Sequence, residues 1–234
     1  LAVSGNNWAD TICAGGGIRC QIANAMPATA ALGLGVGSYG PGGIFNLNGY
    51  NQTVGKLYIG ASIPGVRVVT SDTPALLTVN QSADSIFDAR FTGAVSLLKL
   101  GSGALTLTNA FTTTTGGFNV SSGTLAVAAN GTFGPNCTNV VVAGTGTLIL
   151  SNSVAIADSA VLSLPAANVS TAKVALGPGV NEAVGWLAYG SRLRRTGTYG
   201  STLSAAANKD DTHFSGTGML TVKHDNTGTL FSVK

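Results

Sequence analysis

Three stretches of the chain are near copies of one another: Gly101-Ser102-Gly103-Ala104-Leu105-Thr106-Leu107, Ser122-Gly123-Thr124-Leu125-Ala126-Val127 and Gly144-Thr145-Gly146-Thr147-Leu148-Ile149-Leu150. Their leucines, at 105, 125 and 148, are spaced by 20 and 23 residues. A period of that length, built from units too short to bury an apolar side alone, points to a solenoid. Within each unit apolar side chains stand at i and i+2, the signature of a half-buried strand. The same alternation recurs at 44–48, 56–59, 75–79, 97–100, 161–164 and 218–222, bounded by Gly, Asn, Ser or Pro. The best helical candidate is 23–34, and Pro27 and Gly33 interrupt it.

Charge is scarce. Only 9% of the 234 residues are charged, Glu182 is the one glutamate, and glycine reaches 33 residues. An ordinary soluble domain is about 25% charged. Long amphipathic helices need a charged wet face and are excluded, and the abundance of Val, Leu, Ile and Ala excludes charge-driven disorder. Glycine without a three-residue period, beside 7 prolines, excludes collagen. The expectation is an all-β protein, a parallel β-helix whose coils stack about 4.8 Å apart with Leu, Val and Ile ladders inside and Thr and Ser outside. A β-sandwich is the competing architecture, since short strands and glycine turns serve both.

A net charge of +3 is too weak to imply nucleic acid, and no apolar run is long enough for a membrane helix. The chain starts at Leu1 rather than Met, which reads as removal of a signal peptide or as trimming. Cys13 and Cys20 flank a glycine-rich turn flexible enough to close a small disulfide ring in an oxidising compartment; two free thiols in a reducing one are the other reading. Zinc is disfavoured because neither histidine lies near them in sequence. Cys137 is left over, buried or available for intermolecular pairing.

The segment from Lys99-Leu100-Gly101-Ser102-Gly103-Ala104-Leu105-Thr106-Leu107 through Thr115-Gly116-Gly117-Phe118-Asn119-Val120-Ser121-Ser122-Gly123-Thr124-Leu125 resembles the autotransporter-associated β-strand repeat. Ala104 replaces the usual Thr there, and Phe111 stands where that family often has Asn-Thr-Tyr. Upstream, Leu47-Asn48-Gly49-Tyr50-Asn51-Gln52-Thr53-Val54-Gly55-Lys56-Leu57 is similar to a coil common in the same proteins. The stretches 179–185, 197–201 and 210–218 are similar to their closing segment. The resemblance implies a right-handed parallel β-helix, exported to the bacterial cell surface, acting as a stalk, adhesin or scaffold. It sets the expected layout as an N-terminal cap or arm at 1–43, β-helix repeats at 44–222 and a C-terminal extra strand at 223–234.

The expected function is a structural subunit of a surface fibre or matrix, a homo-oligomer joined head to tail. Thr229, Leu230, Phe231, Ser232 and Val233 alternate as one further strand, which either caps its own solenoid or is donated to the next subunit. A carbohydrate-binding adhesin is the second reading. Its candidate patch for an acidic glycan is Arg192, Arg194 and Arg195, beside the aromatic Trp186 and Tyr189. A polysaccharide-active enzyme is the third. Asp210 and Asp211, with Lys209 and His213, form the densest ionisable patch, but alternation would point the two carboxylates to opposite sides. Asp84, Ser85, Asp88 and Arg90 lie in an irregular segment that lacks calcium-loop spacing. No catalytic residue, metal or cofactor is therefore expected.

Overall fold

A computed structural model describes residues 1–35, 40, 42–60, 65–167 and 169–225. The described chain contains no helix and winds into a β-solenoid of about 8 turns. The near copies are stacked rungs. Ala104–Leu107, Thr124–Val127, Thr147–Leu150 and Lys173–Leu176 pair in parallel, so Leu105, Leu125, Leu148 and Val174 stand one above another, all buried. Leu107, Val127, Leu150 and Leu176 form the second inward ladder, while Thr124 and Thr147 face outward in line with Ala104. The period-2 pattern and the period of 20 to 23 residues are therefore one object, an inward-facing alternation repeated once per coil.

A second wall is built the same way. Leu77, Leu97, Phe118, Val140, Leu162 and Leu187 are in direct register and line the other side of the core. Four phenylalanines fill the space between walls: Phe87, Phe91, Phe118 and Phe133 lie centroid to centroid at 5.5, 5.7 and 4.3 Å in succession. Each aromatic ring buries a large apolar area, so this column anchors the middle coils.

The stacking begins upstream of the repeats. Asp10–Cys13 pairs with Ala31–Leu34, which pairs with Lys56–Ile59, and Gly17–Arg19 pairs with Gly43–Asn46. Residues expected as a separate cap or arm thus form coils. The stretch 23–34 makes no helix; it enters the strand Ala31–Leu34, because Pro27 blocks helical pairing and the inward Leu32 and Leu34 suit a strand phase. At the other end the parallel order breaks: Gly197–Gly200 runs antiparallel to Met219–Val222, and Arg192–Leu193 folds back antiparallel on Trp186–Tyr189. The expected strand at 229–233 lies outside the described residues.

The expected Cys13–Cys20 disulfide is not present; both are free thiols. Cys13 ends a strand of one wall and donates its Sγ hydrogen toward Ile44 O at 3.0 Å. Cys20 follows Gly17–Arg19 in the other wall and is fully buried. The turn at 14–16 carries the chain around a corner, so each thiol fills its own place in the core. Burial pushes the thiols of Cys20 and Cys137 up to about 11 and raises that of Cys13.

Corners impose strict demands. Gly123 has φ +64°, and a Cβ there would fall 2.2 Å from Gly101 O in the coil beneath. Gly123→Ala is therefore expected to cost about 2 kcal/mol or more in chemical unfolding, from left-handed strain and displacement of the neighbouring backbone, while Ser122→Ala stays within about 0.5 kcal/mol. All three thiols are expected to resist an aromatic disulfide reagent in the native state and to react together in denaturant, with identical mass before and after reduction.

Candidate functional site

The long polar side chains that point into the core sit where a corner leaves backbone groups without a ladder partner. Gln52 accepts from Met26 N–H at 3.1 Å and donates to Ile22 O at 2.8 Å. Gln81 accepts from Leu57 N–H at 3.4 Å and donates to Ala104 O at 2.7 Å. Lys99 occupies an inward position between Val79 and Val120, and its Nζ turns to Leu100 O at 2.6 Å and Gly101 O at 3.0 Å. Burial lowers this ammonium to about 8, against a smaller opposing pull from Asp84. Glu182 is likewise inward, and its carboxylate accepts from Ile156 N–H at 2.6 Å and Ala155 N–H at 3.3 Å. Burial pushes it up to about 7, against the pull of those two amides.

The three arginines of the expected patch lie on an exposed hairpin. The turn at Gly190 (φ +59°) folds Arg192–Leu193 back along the preceding strand, and Arg192, Arg194 and Arg195 are exposed. The Arg194 guanidinium lies 4.8 Å from the centre of the Tyr189 ring, and Arg195 O accepts from Tyr199 Oη at 2.8 Å. Arg194 is thus already engaged as a cation on an aromatic face.

Beneath it the ionisable patch is a structural clamp. His213 is buried and stacks on Tyr189 with centroids 4.1 Å apart. Its Nδ1 lies 2.7 Å from Asp210 Oδ2 and its Nε2 lies 3.0 Å from Pro165 O. Both ring nitrogens lie within hydrogen-bond distance of a neighbouring oxygen, so neither is left facing the solvent. Burial pushes the Asp210 carboxyl up, but hydrogen bonds from Tyr189 and His213 outweigh it and hold the group below its ordinary value. Asp211 accepts from Thr202 N–H at 2.8 Å instead of joining Asp210.

The irregular segment at 84–90 is also tied down. Asp84 Oδ1 accepts from Ala104 N–H at 2.7 Å, Ser85 Oγ donates to Leu57 O at 2.7 Å, and Asp88 takes Arg67 Nη1 at 2.8 and 2.9 Å. Among the described residues no three His, Cys, Asp or Glu side chains group as metal ligands. Among the described residues no helix is long and apolar enough to cross a membrane. Next to this segment an open groove of about 810 Å³ runs over the outer surface, bordered by Tyr58 and Ile86.

Comparison with known proteins found no matching family model, no matching curated protein and no matching solved structure.

Sequence reasoning had passed over Lys99, Glu182 and the groove. The first two carried a readable signal: each is a charged residue at the apolar phase of an alternating run, Leu97-Lys99 and Val180-Glu182-Val184. Because the folded state holds the Glu182 proton up to about pH 7 and the unfolded chain releases it near the ordinary 4.5, its contribution is fully present below 4.5. It is lost as pH rises through 7. Urea unfolding from pH 4 to 8 should show the wild type losing a few kcal/mol relative to Glu182→Gln over that window. A pH-independent difference between the two would contradict the assignment.

Proposed function

We propose that this chain is an extracellular structural shaft, a self-assembling subunit of a bacterial surface fibre or matrix. The observation that carries the reading is the asymmetry of its two ends. At the N-terminal end the strand Asp10–Cys13 is paired on one side only among the described residues, with Ile12 exposed along it. At the C-terminal end antiparallel strands fold across the last coil. An unpaired parallel edge of matching twist is a template for another strand, whereas antiparallel closure blunts the opposite edge.

Other features support the same reading. The buried polar groups described above serve the backbone, and the Asp210–His213 pair is fully committed to neighbours. The extracellular placement and the autotransporter-associated repeat are carried by the three resembling stretches of sequence. A solenoid whose coils bury one another's apolar sides has a rigid length, about 40 Å for eight turns at the spacing of parallel strands.

Sedimentation and negative-stain electron microscopy of residues 1–234 test the proposal. Concentration-dependent rods with an axial repeat of about 40 Å are expected, lost in Ile12→Lys at an unchanged thermal midpoint, since a charge on the edge opposes pairing. A variant lacking residues 224–234 identifies the joining strand: if it no longer assembles, the tail is donated. A wild type that stays monomeric at all concentrations overturns the proposal.

A further inference from the structure

On one side of the solenoid two sheets lie end to end, and the join between them is open. The strand Lys56–Ile59 closes a three-stranded sheet and Ser85–Phe87 opens a six-stranded one, with no backbone ladder between them. Side chains bridge the gap instead, through Leu57 N–H to Gln81 and Ser85 Oγ to Leu57 O. The groove of about 810 Å³ lies over this join, lined by Lys56, Tyr58, Asp84, Ile86, Asp88 and Thr106. Its volume falls in the range of roughly 300–1,000 Å³ typical of ligand sites.

Two placements keep the groove open and apolar at its walls. The Tyr58 ring leans away from the join, over Gly33 of the adjacent strand, where a Cβ would fall 2.6 Å from Tyr58 Cζ. Only glycine leaves room for the ring in that position. On the other wall Ile86 is 63% exposed, a large apolar side chain that nothing in the described fold covers. Around these walls stand polar groups of both signs. Lys56 Nζ is 5.6 Å from the Tyr58 ring centre, Asp84 spends Oδ1 on Ala104 N–H, and Asp88, 46% exposed, is matched by buried Arg67. Arg67, buried behind the wall, pairs with Asp88, so that with it counted the two cations Lys56 and Arg67 offset the two carboxylates Asp84 and Asp88.

We infer that this groove binds a neutral oligosaccharide, with sugar rings laid against Tyr58 and Ile86 and hydroxyls meeting Asp84, Asp88 and Lys56. A sugar ring offers a face of C–H groups to an apolar wall and a rim of hydroxyls to carboxylate acceptors and an ammonium donor. An acidic glycan would bring its charge against two carboxylates, and a purely apolar ligand would cover charged groups without pairing them. The absence of any excess of positive charge separates this site from the arginine hairpin, which suits an anion. The site lies on the flank of the shaft and does not depend on how its ends associate.

The probes are neutral gluco-, galacto- and manno-oligosaccharides, with an oligogalacturonide as the acidic control, on the full chain. A neutral probe is expected to bind saturably, with affinity at least tenfold weaker in Tyr58→Leu, which still covers Gly33, and in Asp84→Asn, which keeps the acceptor for Ala104. Arg192→Ala/Arg194→Ala/Arg195→Ala is expected to bind it unchanged. Should a variant lose its thermal midpoint, hydrogen exchange on the wild type decides instead: added sugar must protect 56–59 and 84–88. No binding by any neutral probe, binding untouched by both groove variants, or protection confined to 192–195 overturns the inference.

Discussion

Everything in this molecule depends on parallel strands stacking in register, which sets each side chain about 4.8 Å from its equivalent in the next coil. The requirement is favourable for Leu over Leu, tolerable for Thr over Thr, and repulsive for Lys over Lys. The strand registers obey it: among the described residues no charged residue stands opposite another charged residue in any pairing. Lys173 joins the outer Thr124–Thr147 ladder only at its end, and Lys56 stands above Ala31. The low charge of the chain is thus a condition of the stacking, not an incidental composition.

Stacking satisfies strand backbones completely and leaves the corners unsatisfied, so the core must carry polar groups after all. Their chemical types follow the deficit at each corner. Where the groups to be met are two carbonyls, Gly101 O and Leu100 O (the latter also taking Gln81 N–H at 3.2 Å), the inward side chain is the donor Lys99. Where two amides lack acceptors, at Ala155 and Ile156, it is Glu182. Where one of each is orphaned the residue is an amide, Gln52 or Gln81. Two corners use the outer face: Asn109 and Asn152 each accept from the amide two residues on and donate to carbonyls of the coil beneath. Leaving such groups unpaired in the interior would cost about 1–3 kcal/mol each, which offsets the desolvation of the two ionisable side chains.

These rules also explain what could be read from the residues alone. The coil pairing of Leu105, Leu125 and Leu148 was legible because the period of the copies equals the length of a coil. The coil containing Leu47 through Leu57 was legible because Asn48, with φ +51°, and Gly49, with φ +80°, make a corner that few residues accept. The upstream coils were not, since Asp10–Cys13 and Gly17–Arg19 are short and lack a copied motif. The cysteine pairing failed for a related reason: seven residues of separation looked like a small ring, but a corner intervenes and assigns the two thiols to different walls. The groove was invisible because Tyr58 and Ile86 meet across an excursion of the chain, outside any repeat.

That last failure carries a general point about specificity in such a fold. A perfect ladder can display only like groups at like heights, so a regular face presents a stripe and not a constellation. Different groups converge only where the register is interrupted. Besides the register shift between Ser71 and Ala75, the described chain is interrupted at the open join between Lys56–Ile59 and Ser85–Phe87 and at the antiparallel closure from Arg192 to Val222. The closure gathers His213, Asp210, Tyr189 and Arg194 into a clamp, joined by the Asp210–His213 hydrogen bond, the His213–Tyr189 stack and Arg194 over the Tyr189 ring, that holds the end of the stack. The open join gathers an aromatic ring, an isoleucine that no described residue covers, and charges of both signs with acceptor capacity to spare. A closed constellation serves stability and an open one can serve a ligand, so the site of recognition is placed where the repeat breaks without sealing itself.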